Sequence, residues 1–193
     1  LGWRFDSSYD HSHDERYSHF SVFKQGHSRY AFNTITGETT VEGLIMPLRM
    51  GDYHYKITTS DGKKSSTTTY MFSYLILELP FLGDQDLFIR EEGIFDKIAG
   101  FVGFDDIDFE SAEFSNRFHV KSSDKKFAYD VVHPRMMEYL MDHKPPTFSL
   151  DRRSCCLYKT GKRWPPEEFK SMLHWAEGFF QRWPSHLTAT FER

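Results

Sequence analysis

Hydrophobic and polar residues alternate along much of the first ninety residues, as is typical of antiparallel β-strands. The clearest run is Tyr53–Thr59, in which Tyr53, Tyr55 and Ile57 alternate with polar side chains. It is followed by Asp61-Gly62, a strong signal for a β-hairpin. The returning run, Thr67–Leu79, is continuously apolar at its centre, so we expect a strand that is buried on both faces.

Shorter runs predict further strands in the same half of the chain. These runs are Ser18–Phe23, His27–Thr36, Thr39–Met50 and Asp86–Arg90. The tripeptide Thr36-Gly37-Glu38 is a turn signal between the second and third of them.

Shorter and more varied elements are predicted after Glu92. In chain order they are helical turns at Gly93–Ala99, a strand at Phe118–Ser122, a helix from Asp124 to Val132, a helix at Arg135–Asp142 and a hairpin over Thr147–Tyr158 that turns at 151–153. Asp124 is a good N-cap for the first of these helices. Pro134 suits the first turn of the second.

The last predicted helix has the most regular spacing in the chain. It starts at Pro165-Pro166, and Glu167 and Glu168 occupy the first turn, where the helix dipole favours acidic residues. One wide apolar face follows at helical spacing, made of Phe169, Met172, Leu173, Ala176, Phe179, Phe180 and Trp183. We expect this face to dock onto a sheet.

Together these elements predict an α+β fold. Its N-terminal half is an antiparallel β-rich sheet or roll, mixed short strands and helices follow, and a C-terminal amphipathic helix packs on the sheet. We expect a single domain over residues 1–193, mainly β over 1–90 and mixed over 91–193. Because the chain begins with Leu1, we expect it to be excised from a longer protein.

Composition narrows the possible functions. Aromatic residues make up 17% of the 193 residues, which favours a bulky core over an aromatic ligand surface. The formal net charge of −4 gives no electrostatic case for nucleic-acid binding. The only cysteines, Cys155 and Cys156, are adjacent, so no disulfide framework is expected and a reducing compartment is favoured.

One histidine cluster lies near the N-terminus, at His11 and His13, with Asp14 beside it and His19 beyond. Two histidines two residues apart on a strand would share one face, which suits Zn or Ni, and Asp14 would add a third ligand. A polar loop is the alternative that we favour. The sequence indicates no cofactor.

A second acidic candidate is the alternating trio Asp106, Asp108 and Glu110. On a strand, the three carboxylates would share a face and could hold Ca²⁺ or Mg²⁺. Solvated charge opposite the buried side chains of Ile107 and Phe109 explains the same pattern, and we favour it.

A local basic patch is predicted around the hairpin and the start of the last helix, beside Trp164. Its members are Arg152, Arg153, Lys159, Lys162 and Arg163. Such a patch could contact phosphates or an anionic membrane surface. A solvated hairpin tip is the alternative.

Nucleophilic catalysis would need Cys155 or Cys156 together with His119 or His133. The sequence has no nucleophile elbow and no Gly-rich phosphate loop. Cysteines in an alternating strand are more often small core residues, which is the interpretation that we favour.

The block Asp105–Leu140 resembles a family of uncharacterised bacterial proteins described as hypothetical membrane proteins. The resemblance is carried by Phe109-Glu110-Ser111, Phe114, Asn116-Arg117-Phe118, Val120, Phe127-Ala128-Tyr129 and Pro134-Arg135-Met136. Ser115 separates Phe114 from Asn116, whereas the family has Phe and Asn adjacent. Most of these residues are apolar or aromatic, so the pattern is typical of packing, and it assigns no catalytic or binding residue.

The resemblance implies a soluble C-terminal domain, on the cytoplasmic side, of a protein tethered to the membrane by a segment that precedes this chain. Within the chain, the longest apolar stretch is Met71–Leu82, which is too short and too interrupted to cross a bilayer. We therefore expect a non-catalytic module that binds a protein partner or a membrane surface. A hydrolase or metal-dependent enzyme with an unrecognised site is the alternative.

Overall fold

The computed structural model describes residues 2–93 and 105–188 of the chain. Within these residues the strands form one eight-stranded antiparallel sheet with the order β1-β2-β3-β4-β8-β7-β5-β6. The strands are β1 Arg4–Asp6, β2 His27–Val41, β3 Leu44–Ser60, β4 Ser65–Glu78, β5 Asp86–Glu91, β6 Phe118–Lys121, β7 Thr147–Asp151 and β8 Ser154–Tyr158.

The described helices are α1 His13–Arg16, α2 Ala112–Arg117, α3 Lys125–Val131, α4 Pro134–Asp142, α5 Pro166–Phe180 and α6 Ser185–Thr188, with a 3-10 helix at Ser21–Lys24. Asp124 caps α3 as expected, since its carboxylate accepts a hydrogen bond from the Phe127 backbone N–H at 3.1 Å. The hairpins turning at Asp61-Gly62 and at 151–153 are present. The predicted α+β fold is confirmed, including a C-terminal helix on an antiparallel sheet.

The two faces of the sheet carry different side chains, because alternate residues of each strand point to opposite sides. On β4, Leu75 and Leu77 join a core with the helices, which we call the helix face. Tyr74 and Ile76 join a second core, which we call the N-terminal face because Phe20 and Phe23 of the N-terminal segment cover it. As predicted, the centre of β4 from Phe72 to Leu77 is buried on both sides.

The amphipathic face of α5 docks on the helix face. Met172, Leu173, Ala176, Phe179 and Phe180 are buried there, together with Trp175. Phe169, which the periodicity placed in the same face, is only partly buried. It lies at the first turn, where α5 leaves a cavity against the sheet.

Two predicted local structures are wrong. Ser18–Phe23 is a turn followed by a 3-10 helix instead of a strand, because Phe23 N–H bonds to the Phe20 carbonyl and both rings reach the N-terminal face. No turn occurs at Thr36-Gly37-Glu38, where β2 continues to Val41. The turn falls at Glu42-Gly43, whose φ angles of 49° and 81° are those of a two-residue hairpin.

The predicted helical turns at Gly93–Ala99 lie, apart from Gly93, outside the described residues. Among the helices that the structure does describe, none is long and apolar enough to span a bilayer.

Candidate functional site

A groove runs along α5 between this helix and strands β1 and β2, and we call it the α5 groove. Its first part is a cavity of about 680 Å³ at the start of the helix, and its second part is a cavity of about 800 Å³ further along. The two adjoin, since Trp3, Lys170 and Leu173 line both. From Pro166 to Glu177 the groove follows α5 for about 16 Å.

The first part of the groove is mainly apolar. Its apolar wall is formed by Trp3, Phe5, Ile35, Met50, Trp164, Phe169 and Leu173, and its polar lining residues are Asn33, Asp52, Arg163, Glu167 and Lys170. Phe5 pairs with Ile35 across β1 and β2, so the two side chains share the helix face of the sheet. Phe5 is 62% exposed and lies beside the other apolar residues of this wall, so it extends a contiguous apolar surface.

A buried carboxylate holds this end of the groove together. Asp52 on β3 is 3% exposed and accepts hydrogen bonds from Ser73 Oγ at 2.5 Å, Arg163 at 2.5 Å and Asn33 Nδ2 at 3.0 Å. Ser73 Oγ accepts in turn from the Trp164 backbone N–H at 2.8 Å. The network therefore fixes the chain just before α5 onto β3 and β4.

Only part of the Arg163 guanidinium takes part in this network. Its side chain is 49% exposed, and its guanidinium carbon lies 5.3 Å from the centre of the Phe32 ring. Because three donors already occupy Asp52, the carboxylate is poorly suited to act as a general base. The arrangement favours binding over proton transfer.

The middle of the groove is formed by Trp3 lying across β2 at Gly37. A Cβ atom at Gly37 would be 2.1 Å from Trp3 Cδ1, so only glycine leaves room for the indole. The indole N–H donates to the Glu38 carbonyl at 3.0 Å. Further along, Thr39 Oγ1 donates to Glu177 on α5 at 3.0 Å and ties the helix to the strand.

The structure does not bring the predicted N-terminal metal ligands together. His13 begins α1 and is fully buried among Tyr17, Phe23, Tyr53 and Tyr74, whereas His11 is exposed. Asp14 pairs instead with Arg29 at 2.7 Å. His11 and His13 do not lie on a strand, so the predicted alignment of their side chains on one face is wrong.

Burial sets the chemistry of His13. Desolvation is the main cause that lowers the pKa of His13 to about 3, and the charge of Arg49 is the second. The ring is therefore neutral at ordinary pH. His19 is partly buried, bonds to Ser154 Oγ at 2.8 Å and has a pKa lowered to about 4, mainly by desolvation.

The acidic trio is not on a strand. Asp106 contacts His119 at 2.6 Å, and His119 also contacts Glu92. Asp108 and Glu110 instead line a separate cavity of about 800 Å³ with His133, whose Nε2 contacts the Arg182 carbonyl at 3.0 Å. Within residues 2–93 and 105–188, no three His, Cys, Asp or Glu side chains are grouped so that they could hold a metal ion.

The five basic residues do not form one patch. Arg152 and Arg153 lie at one end of β8, and Lys159, Lys162 and Arg163 follow its other end, about 15 Å away. Lys159 and Lys162 both contact Glu168, at 3.4 and 3.0 Å, and Arg163 contacts Asp52. Arg153 donates to the Pro80 carbonyl at 2.7 Å. The structure therefore separates the five residues into two groups, and three of the five charges are locally paired.

The adjacent cysteines are core residues on opposite faces of the sheet. Cys155 belongs to the core of the helix face and Cys156 to the core of the N-terminal face. Burial raises the pKa of both thiols well above their usual range, which is the reverse of what a nucleophile needs.

Sequence reasoning missed Asp52 and Ser73, which anchor the groove. A signal was present, because each is a polar residue inside a buried strand and the two are directly opposite in the β3–β4 register. Trp3 and Gly37 gave no such signal, since only the fold brings them together.

No protein-family model matches the chain, and no curated protein sequence matches it. Among solved structures, the chain is similar to the crystal structure of the mycobacterial trehalose monomycolate transport factor A, TtfA. The similarity has a TM-score of 0.54 at 10% sequence identity and covers 93% of this chain and 89% of that chain. At this identity the likeness concerns the fold alone.

Proposed function

We propose that the chain is a non-catalytic module of a membrane-tethered bacterial protein and that it binds a protein partner through the α5 groove. The observation that carries this proposal is the apolar first part of the groove, about 680 Å³ in volume and bordered by the exposed ring of Phe5. Apolar clefts that open to solvent are typical binding sites.

The paired charges favour a protein partner over a membrane surface. An anionic bilayer attracts unpaired cations, each contributing about 1 kcal/mol. In this chain Lys159 and Lys162 are engaged by Glu168, and Arg163 is engaged by Asp52. These three basic residues thus retain little charge for lipid headgroups.

The second large cavity, beside α3 and α4, supports an enzyme less well. It gathers Asp108, Glu110 and His133, but Asp108 is held there through its backbone carbonyl, which accepts from Tyr129 at 3.0 Å. The imidazole of His133 contacts the Arg182 carbonyl and, among the residues that the structure describes, no carboxylate. A general acid–base pair would need the side chains themselves to be within hydrogen-bonding reach.

The other parts of the proposal come from resemblance. The similarity of Asp105–Leu140 to bacterial hypothetical membrane proteins supports a tether, with this domain on the cytoplasmic side. The structural neighbour is named a transport factor, and a non-catalytic role in such a system agrees with a module that binds through a groove.

Site-specific photo-crosslinking in cells of the source organism tests this proposal. The variant Lys170→p-benzoylphenylalanine places the crosslinker at an exposed position that lines both parts of the groove. The variant Tyr129→p-benzoylphenylalanine places it at the second cavity and serves as the matched control. We expect one protein to be crosslinked from position 170 and not from position 129.

The same crosslink should be lost with Phe5→Ser and retained with Tyr9→Ser, because both side chains are highly exposed but only Phe5 lines the groove. Crosslinking from position 129 alone would overturn the proposal in favour of the second cavity. Co-sedimentation with phosphatidylglycerol vesicles that is lost with Arg152→Glu and Arg153→Glu would instead support the membrane surface.

A further inference from the structure

Strand β2 has an uncovered edge next to the α5 groove. β1 pairs with β2 only from Thr34 to Thr36. At Gly2 the backbone takes a φ of 67°, so it leaves the extended line of β1 at that point. Residues 37–41 of β2 therefore pair with β3 on one side and have no strand beside them, within the described residues, on the other.

The backbone groups at this edge can be assigned from the hairpin. Val41 and Leu44 flank a two-residue turn and so form a hydrogen-bonded pair. Odd-numbered residues of this part of β2 thus bond to β3, and even-numbered residues point outward. The bond from the Trp3 indole to the Glu38 carbonyl agrees with this assignment.

Three backbone groups remain open on the outward side. They are the N–H of Glu38 and the N–H and C=O of Thr40, for which the described residues supply no hydrogen-bond partner. Both residues are exposed. Exposed strand edges with unpaired backbone groups are templates for an added strand.

The side chains of an added strand would enter the α5 groove. Beside this edge, the second part of the groove is lined by Trp3, Thr39, Leu173 and His174. A separate cavity of about 660 Å³ is lined by Val41 and Glu42 at the end of β2 and by Phe180 at the end of α5. Every second side chain of an added strand would point into these spaces.

The charge around the edge selects the partner. Glu38 and Glu42 are exposed, and their carboxylates have no partner among the described residues. Glu177 lies on the opposite wall, and Lys170 is the one lysine that lines the second part of the groove. The surplus of carboxylates favours basic side chains on the incoming segment.

We infer that an extended segment of the protein partner adds to the free edge of β2 at Glu38–Thr40, with alternate apolar side chains in the α5 groove and basic side chains beside Glu38 and Glu42. This inference rests on the proposed function, since it specifies how the same groove is occupied. Backbone hydrogen bonds would supply affinity, and the groove would select side chains.

A phage-displayed library of 12-residue peptides, panned on the whole chain, supplies the probe. We expect the selected peptides to alternate apolar residues and to carry Lys or Arg. A synthetic selected peptide should crosslink to the variant Lys170→p-benzoylphenylalanine, and its affinity is measured by fluorescence anisotropy. This crosslink reports occupancy of the groove whichever way the peptide binds.

Backbone pairing is tested by Thr40→Pro, which removes the outward N–H without removing a bond to β3. Thr40→Val keeps the N–H and is the matched control. We expect Thr40→Pro to weaken binding at least about tenfold and Thr40→Val less than about twofold. Methylating alternate peptide nitrogens gives the same information without changing the protein, should Thr40→Pro impair folding.

The acidic rim is tested by the double variant Glu38→Gln and Glu42→Gln. Its affinity for the peptide should fall by about fivefold and should depend less on salt than that of the parent chain. Unchanged affinity and salt dependence would overturn the basic character of the partner.

The outcomes separate this inference from the function on which it rests. A peptide that crosslinks at position 170 but tolerates Thr40→Pro and nitrogen methylation would overturn strand addition and leave the groove as the binding site. Selected peptides that never crosslink at position 170 would overturn both. A concentration-dependent dimer that is abolished by Thr40→Pro would show that a second copy of the chain occupies the edge.

Discussion

The two faces of the sheet are built from alternate residues of the same strands, and they differ in how completely other parts of the chain cover them. The N-terminal face is closed over its apolar centre, where Phe20, Phe23 and His13 are each at most 1% exposed, and its cavity of about 320 Å³ beside β1 and β2 is lined mainly by polar side chains. The helix face is larger and is filled beneath α3, α4 and the C-terminal half of α5, but it is open along β1 and β2. The open side leaves an apolar groove along α5.

The N-terminal face also contains a buried polar side chain, His13, which water would hydrate on an open face. His13 Nε2 has no hydrogen-bond partner in the structure, and its Nδ1 contacts the Tyr74 hydroxyl only at 3.5 Å. Such a site stabilises the fold only while the ring stays neutral. This difference agrees with the proposal that the helix face binds a partner.

The largest expected loss of stability comes from a substitution in the filled part of the helix face. Phe179 is fully buried and lies 4.6 Å from Phe148 between ring centroids. We expect Phe179→Ala to lower the free energy of unfolding by about 3–5 kcal/mol in denaturant titrations. Phe169→Ala, on the open part, should lower it by about 1–2 kcal/mol because that ring is only partly buried. Equal losses would show that the two parts of α5 are packed alike.

Acid should weaken the closed face. The pKa of His13 is lowered from 6.5 to about 3 in the folded chain, so the unfolded chain takes up the proton first as the pH falls. The stability that the neutral ring contributes is therefore present above pH 6.5 and is lost towards pH 3. The loss has a limiting slope of about 1.4 kcal/mol per pH unit.

Urea titrations at about pH 7 and about pH 5 measure this loss. We expect the parent chain to lose about 2 kcal/mol more than His13→Phe between these values. His19, with a pKa lowered to about 4, contributes similarly in both proteins and cancels in the comparison. Parallel pH profiles would mean that His13 takes up its proton at the same pH in the folded and the unfolded chain.

A smaller effect is expected from the anchor of the groove. Asp52→Ala leaves Ser73 and Asn33 without their acceptor and should reduce the free energy of unfolding by about 2 kcal/mol. Arg163→Ala should reduce it by less than about 1 kcal/mol, because the guanidinium is half-exposed and screened by solvent. Thermal melts of the two variants check this order, and a larger loss for Arg163→Ala would reverse it.

A stability effect smaller than that of Asp52→Ala should come from Gly37→Ala, which displaces Trp3. We expect a loss of about 1 kcal/mol and a shift of tryptophan emission to longer wavelength as the indole enters water. Gly43→Ala is a control for the emission alone, since a Cβ atom there would meet nothing within 4 Å, although its φ of 81° strains alanine and lowers stability. Its emission should match that of the parent chain.

Local patterns were sufficient for the elements that depend on neighbours in sequence. The helix α5 and the β3–β4 hairpin follow from apolar spacing and from Asp61-Gly62, and both are present. Ser18–Phe23 was misjudged because its short alternation does not distinguish a strand from a 3-10 turn whose rings, three residues apart, face one core.

The groove could not be predicted in the same way, because its contacts join distant parts of the chain. Arg163 and Asp52 are 111 residues apart, and Trp3 reaches Glu38 across 35 residues. The pairing of basic residues was missed for the same reason, since their partners become neighbours only after folding. Predicted chemistry at His11, His13 and Asp14 likewise depended on a strand that does not form.

The adjacent cysteines offer a way to time the opening of each face separately. Cys155 is buried in the helix face and Cys156 in the N-terminal face, so each thiol reacts with a labelling reagent only after its own side has opened. In Cys156→Ser the reaction rate reports one side, and in Cys155→Ser it reports the other. The labelling rates of two consecutive residues thus report separately on the opening of the two halves of the core.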